Sequence, residues 1–335
     1  MTGLGRLRKD RTLAWGVIMT AVVALPSIFG PMISSHDAFT SDFVHGVGPG
    51  ELPIGPSAHF WLGADRLFRD QFTRLCVGGR FSLLIALFAT AMATGLGTLV
   101  GIVAAMNEGG RGPRIAWVLA ASAGLAAALC FAAGARGACI TLVLVAAVLV
   151  ALGARAVSGA LARPVDADTA LMRSVDVLLS FPFLLFVMAL GTVFEKTSAW
   201  TVAFTLGATG WLHIARIVRG RTLQLRDQDF VIAARALGQS PLQIVRKHVL
   251  PNLFSTLWVL AALSVAQMIL AESVLSYLGA GVSPPAPTWG RMLFEGQDYV
   301  SAAPWLLLAP ASVVLVCVVG LNLIGEGLRR SYGEP

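Results

Sequence analysis

Few residues in this chain combine the type and spacing that chemistry requires. The five histidines, His36, His45, His59, His213 and His248, form no HExxH pair, the spacing that sets two imidazoles on one helical face around zinc. The four cysteines, Cys76, Cys130, Cys139 and Cys317, have no CxxC spacing and read as small buried hydrophobes. No GxxxxGK stretch followed by Ser or Thr offers backbone amides to a triphosphate. No catalytic residue and no metal ligand is therefore assigned. One acid stands apart: Glu272 lies between Leu270 and Leu275 in an apolar run. A carboxylate at that depth must face protein or water. Either it lines a pore and meets the amino end of a substrate, or it bonds a neighbouring helix or loop near the outer surface. Asp176, near the inner surface, and His248, beside Val249 on a basic helix, read as structural.

The elements around these residues are apolar. The 335 residues are 56% hydrophobic and 13% charged, where a soluble domain carries about 25% charged, and the mean hydropathy is +0.75. The solvent for most of the chain is lipid. The pI near 9.8 then reflects basic cytoplasmic loops, so a nucleic-acid partner is not expected. A spanning helix needs about 20 apolar residues, and eight runs qualify: 13–33, 81–106, 115–133, 138–154, 171–193, 199–217, 253–277 and 304–325. The first is too long for a cleaved leader and reads as a retained anchor. Pro182 and Pro310 fall inside spans, where neighbouring helices can satisfy the freed backbone groups. With the N-terminus inside, eighteen of the 25 Lys and Arg lie in inside segments and seven outside, which places both termini in the cytoplasm. Outside, residues 65–80 are expected to form an amphipathic interfacial helix, and Trp289 and Trp305 to sit at headgroup level.

Between two spans lies the inside stretch AARALGQSPLQIVRKHVLPN, Ala233 to Asn252. Asp227 or Asp229 can cap a short helix whose apolar side carries Phe230, Ile232, Ala233, Ala234 and Leu237. Gly238 is suited to end it, and Ser240 followed by Pro241 reads as the cap and first residue of a second helix. Leu242, Ile244, Val245 and Val249 oppose Gln243, Arg246 and Lys247, and Pro251 stands where the next span begins. Small residues at 233, 234, 236 and 238 would let another surface approach the backbone. The segment is either a dock or an ordinary basic loop.

This stretch resembles the cytoplasmic signature of bacterial ABC importer permeases, EAA, three residues, Gly, nine residues, then I-x-L-P. Ala233, Ala234, Gly238, Leu250 and Pro251 match it; Ile232 and His248 depart from it. QDFVIAARALGQSPLQIVRKHVLPN is similar to the version in the dipeptide, oligopeptide and nickel branch. WLGADRLFRDQFTRLCVGGRFSL resembles that branch's outer segment, usually G-T-D-x-x-G-R-D, with Ala64 and Phe68 replacing the Thr and second Gly. MRSVDVLLSFPFLL, ILAESVLSYLGAGVSPPAPTWGRML and NLIGEGLR also look like the C-type subunit. The matches cover most of the chain outside about 111–163.

The resemblance implies an all-α polytopic membrane protein with the six-span core of a type I ABC importer, in the bacterial inner membrane. It implies half of a heterodimeric pore with a paralogous permease, two ABC ATPase subunits and an extracytoplasmic solute-binding protein. ATP and Mg would be used by the ATPases, and this chain would bind no cofactor and be no enzyme. The docking segment, 226–251, would include Asp229, Ala233, Ala234, Gly238, Ser240, Pro241, Leu250 and Pro251. Residues 1–80 would form an anchor and external loop and 81–335 the permease domain. Residues 111–163 hold two further apolar runs joined at Arg136–Gly137. An even number of added spans keeps the basic loop inside, so an inserted hairpin and eight spans are expected. The implied cargo is di- or oligopeptides, with nickel or glutathione-type solutes as alternatives. The rivals from other classes are an ATP-independent secondary transporter and a membrane scaffold.

Overall fold

The computed structural model describes residues 10–106, 167–191 and 197–332; the apolar runs 115–133 and 138–154 lie outside them. Among the described residues there is no strand, only two isolated bridges, and the elements are helical. They are α1 (Arg11–Ile33), α2 (Gln71–Met106), α3 (Ala167–Leu179), α4 (Phe183–Gly191), α5 (Ala199–Arg226), α6 (Asp229–Ala236), α7 (Pro241–Ile244), α8 (Leu250–Tyr277), α9 (Trp289–Gly296) and α10 (Trp305–Tyr332). A π-helical turn, Val245–Val249, joins α7 to α8. Among the described residues five stretches are long and apolar enough to cross a membrane: α1, α2, α5, α7 through α8, and α10. The chain is thus a multi-pass membrane protein. The apolar run 171–193 differs from expectation. It is split into α3 and α4 at Ser180–Pro182, because Pro disfavours helical geometry in the residue before it and supplies no N–H.

The described residues group into two compact units that interleave along the chain. Met1–Phe88, Lys196–Ala203 and Ala261–Pro335 belong to the first, Ala89–Glu195 and Phe204–Leu260 to the second.

In the first unit, α1 packs along α10 through small residues. A Cβ on Gly16 would stand 2.7 Å from Gly320 O, and one on Gly327 2.7 Å from the Leu13 Cβ, the close approach typical of helices packed in lipid. Three prolines lie in this pair, Pro26 and Pro31 in α1 and Pro310 in α10, and each leaves one carbonyl without its helical donor; two of these carbonyls find one elsewhere. The carbonyl of Ser27, four residues before Pro31, accepts from Arg80 Nε at 2.9 Å. That of Leu306, four before Pro310, accepts from Gln71 Nε2 at 3.3 Å. Both donors are on α2, as the placement of Pro310 in a span requires.

Two outer features differ from the sequence expectation. Residues 65–80 form no separate interfacial helix. Asp70 receives the amides of Phe72 and Thr73, which starts α2 at Gln71, and Arg74, Leu75 and Cys76 are buried against protein. Trp289 is fully buried, not at a lipid boundary; its indole donates to Leu75 O at 3.1 Å. Trp305 is half-buried and donates to Ala64 O.

In the second unit, Val100, Ala104 and Ala215 form a core with Met172 and Trp211. Gly97 and Gly101 allow α5 to approach: a Cβ there would meet Ile214 Cβ and Ala215 O, each at 2.7 Å. Asp176 pairs with Arg216 in an exposed contact.

Candidate functional site

The helix pair between α5 and α8 belongs to the second unit. Arg226, at the end of α5, donates to Ala105 O at 3.0 Å. The chain then turns, and α6 starts with Gln228 in the capping position and no side-chain cap. Asp229 is instead the first helical residue. Its charge there, and that of Arg235 in the last turn, complement the helix dipole.

The end of α6 is closed by a Schellman motif. Gln239 N donates to Ala234 O at 3.2 Å and Gly238 N to Arg235 O at 3.0 Å, with Gly238 at φ +76°. That left-handed conformation is natural to Gly. Among the described residues, its two chain neighbours aside, nothing lies within 4 Å of where a Gly238 Cβ would stand. Its backbone conformation, not crowding, selects glycine. Ser240 then caps α7 as read from the sequence. Its amide donates to Gln243 Oε1 at 2.9 Å and its hydroxyl accepts from Gln243 N, a reciprocal capping box. Pro241 follows as the first residue.

The helix does not restart at Pro251. It passes from α7 through the π turn into α8, with Leu250 N bonded to Val245 O. The wider turn precedes the proline, whose ring would crowd the Lys247 carbonyl in a regular helix. His248 faces Gln239 Oε1 from Nε2 at 3.2 Å, and its ring lies beside Phe230. It ties the two helices together, the structural role expected of it.

Burial sorts the pair into two faces. Val231, Ala234, Ile244 and Val249 are buried, whereas Phe230, Ile232, Leu237 and Leu242 are exposed, Leu237 by 81% and Leu242 by 75%. The apolar side drawn from the sequence is therefore the open one for most of its members. Of the two signature alanines, Ala234 turns inward and Ala233 outward, Gly238, Ser240 and Pro241 are exposed, and Leu250 is half-buried next to exposed Pro251. The result is an ordered, polar-flanked segment presenting four large apolar side chains that the described residues leave uncovered.

Glu272, in the first unit, is completely buried. Ser276 Oγ donates to its Oε1 at 2.7 Å and Ser82 Oγ to its Oε2 at 3.0 Å. Each hydroxyl is fed in turn from the start of α9. Thr288 Oγ1 donates to Ser276, and the amide of Trp289 donates to Ser82 at 3.2 Å. The carboxylate thus joins α8, α2 and the N-terminus of α9, which carries positive partial charge. Of the two roles open to Glu272, this geometry favours bonding to neighbouring elements.

A second polar centre in this unit was not among the sequence expectations. Asp65 Oδ2 is 2.7 Å from Arg69 Nη2 and 3.0 Å from Arg74 Nε. Glu295 Oε2 is 2.9 Å from Arg74 Nη2, and its Oε1 is 3.2 Å from Arg291 Nε. The Arg74 Nε contact is an ion pair only, since its N–H is not aimed at the oxygen. Asp65 also accepts the amides of Leu67 and Arg69, forming a tight turn in which Phe68 takes φ +59°. This is the position where the related outer segment usually has its second Gly. The one available signal was that mismatch.

Long apolar helices, an ordered helix pair exposed between two of them and polar groups used for bracing define a helical multi-pass membrane protein. Residues 147–332 match the family described as binding-protein-dependent transport system inner membrane component, and the chain belongs to that family. It is 38% identical over 277 residues to the oligopeptide transport system permease protein OppC of Haemophilus influenzae, covering 83% of this chain and 70% of the relative. It is 32% identical to the protein of the same description from Escherichia coli, covering 97% and 87%. It is 29% identical to the dipeptide transport system permease protein DppC of Bacillus subtilis, covering 97% and 82%. As a permease subunit of an ABC importer it is a transport component and not an enzyme, and membership of the family implies ATPase and binding-protein partners in general.

Proposed function

We propose that this chain is the transmembrane subunit of an ATP-driven importer for di- or oligopeptides, pairing with a paralogous permease to form the pore. The observation that carries the reading is the helix pair α6–α7. Its Schellman turn and capping box hold Leu237 and Leu242 open to solvent between two apolar helices. A pair of ATPase subunits would cover such patches, one on each permease. The peptide cargo rests on the descriptions of the relatives; nickel or glutathione-type solutes are the alternatives within the class.

In this reading the segment 226–251 is cytoplasmic, as are both termini. Asp229, Ala233, Gly238, Ser240 and Pro241 shape the dock, Ala234 anchors it from within, and Leu250–Pro251 connect it to α8. The π turn and α8 form one helical rod from Pro241 to Tyr277. Closure of the ATPases on ATP and Mg would tilt that rod and open the pore to each side in turn. A solute-binding protein delivers cargo outside, and residues 111–163 add a membrane hairpin to a six-span core.

The test is purification in mild detergent from the native membrane, with partners identified by mass. A second permease and ATPases in the complex support the reading. A lone chain that transports in vesicles without ATP overturns it in favour of a secondary transporter. Nucleotide-independent association with a non-ATPase partner would favour a scaffold.

A further inference from the structure

Three of the five histidines fold together in the loop between α1 and α2, with no spacing motif to announce them. His36 follows the end of α1, His45 closes a turn begun by Asp42, and His59 lies in a later turn. His45 Nδ1 is 2.9 Å and His59 Nε2 3.5 Å from Asp42 Oδ2. His36 Nε2 is 3.1 Å from His59 Nε2. The ligand atoms of Asp42, His45 and His59 all lie within 4.8 Å of one another.

Four donors around a tetrahedral zinc ion, at about 2.0–2.1 Å each, stand about 3.3 Å apart. Three of the six edges are observed, at 2.9, 3.1 and 3.5 Å, and lie near that length; His36, which touches the group through His59 alone, would turn inward to complete it. Hydrogen bonding alone accounts for the arrangement less well. His59 Nε2 has one proton or one lone pair, yet it faces both a carboxylate oxygen and another ring nitrogen.

The surroundings orient the set. Asp42 Oδ1 is occupied by the amides of Val44 and His45, both at 3.0 Å, which leaves Oδ2 to face the imidazoles. The buried ring of Phe60 lies against His36 and His59, with centroids 5.0 and 4.8 Å away. Solvent reaches the cluster: the His45 and His59 side chains are 58% and 45% exposed.

We propose that Asp42 Oδ2, His45 Nδ1, His59 Nε2 and His36 Nε2 form a binding site for a divalent cation of the zinc type. Three imidazoles and one carboxylate suit zinc better than magnesium or calcium, which prefer oxygen. The ion would clip three separate stretches of a loop that contains little regular structure.

The test uses the full chain in lipid nanodiscs, purified by a tag without histidine, stripped with a chelator and titrated with Zn2+ against a chromophoric competitor. One ion per chain is expected, with affinity reduced more than about 100-fold in a His45→Ala/His59→Ala variant and unchanged in His213→Gln. X-ray absorption on the Zn2+-loaded parent, which needs no variant to fold, should show light-atom ligation with the outer-shell signature of imidazole. No saturable binding by the parent, equal binding by the double variant, or ligation without imidazole would each overturn the proposal.

Discussion

Gln71 places its amide nitrogen 3.3 Å from the carbonyl oxygen of Leu306, the group that Pro310 deprives of its helical partner. The same device recurs where Arg80 reaches Ser27 O, below Pro31. Helix α2 thus supplies the missing donors for two bent neighbours. A double-mutant cycle should expose the link. Gln71→Leu alone should cost about 1–3 kcal/mol by leaving a buried acceptor unmet. In a Pro310→Ala background the restored helical N–H should reduce that cost by half or more. Unfolding in detergent of the four proteins gives the coupling, and strictly additive costs would disprove the link.

Arg74 is held by Asp65, Glu295 and Ala38 O and is almost fully buried. Arg74→Ala leaves Asp65 with Arg69 and Glu295 with Arg291 but removes the buried guanidinium that joins the two pairs, and should lose about 3–5 kcal/mol. Arg74→Lys should recover little, because one ammonium cannot span partners that a planar guanidinium meets on several sides. Thermal unfolding of both variants decides; a stable lysine variant would mean that charge alone matters.

Glu272→Gln keeps the shape but removes one acceptor from Ser82 or Ser276. A loss of stability of about 1–3 kcal/mol with uptake within about threefold of the parent fits a bracing role. Uptake abolished at unchanged stability would instead make Glu272 a group that cargo meets.

Gly238 separates backbone conformation from docking. Gly238→Asn, which tolerates a left-handed φ, should keep uptake. Gly238→Glu should fold yet lose uptake while the partners still hydrolyse ATP, because the acid projects into the space a dock must fill. Parent-like uptake by Gly238→Glu would remove the docking role.

Phe68 occupies a left-handed position and packs edge-on to Phe43 at 5.5 Å. Phe68→Ala and Phe68→Gly lose the same ring, but only glycine relieves the backbone, at about 1 kcal/mol. The glycine variant should therefore melt higher than the alanine variant; the reverse order would show that the turn is not strained.

The sequence by itself determined what depends on local pattern. Apolar runs of bilayer length specify spanning helices because lipid offers the backbone no partner. Gly238, Ser240 and Pro241 specify a helix end and a helix start because each acts on its own turn. The resemblance carried by Ala233, Ala234, Gly238 and Leu250–Pro251 pointed to the family. Only the tertiary structure decided what depends on residues far apart in the chain. Five of the seven basic residues counted outside are Arg66, Arg69, Arg74, Arg80 and Arg291, and the count said nothing of their partners. They are engaged with Asp65, Glu295 and the carbonyls near Pro31. Trp289 read as an interfacial anchor and is core, because α2 approaches closely enough to accept its indole proton. The histidines at 36, 45 and 59 had no motif because three turns, rather than one helix, bring them together. A hydrophobic run records the solvent of its own segment; a hydrogen-bond partner 200 residues away leaves no trace in that record.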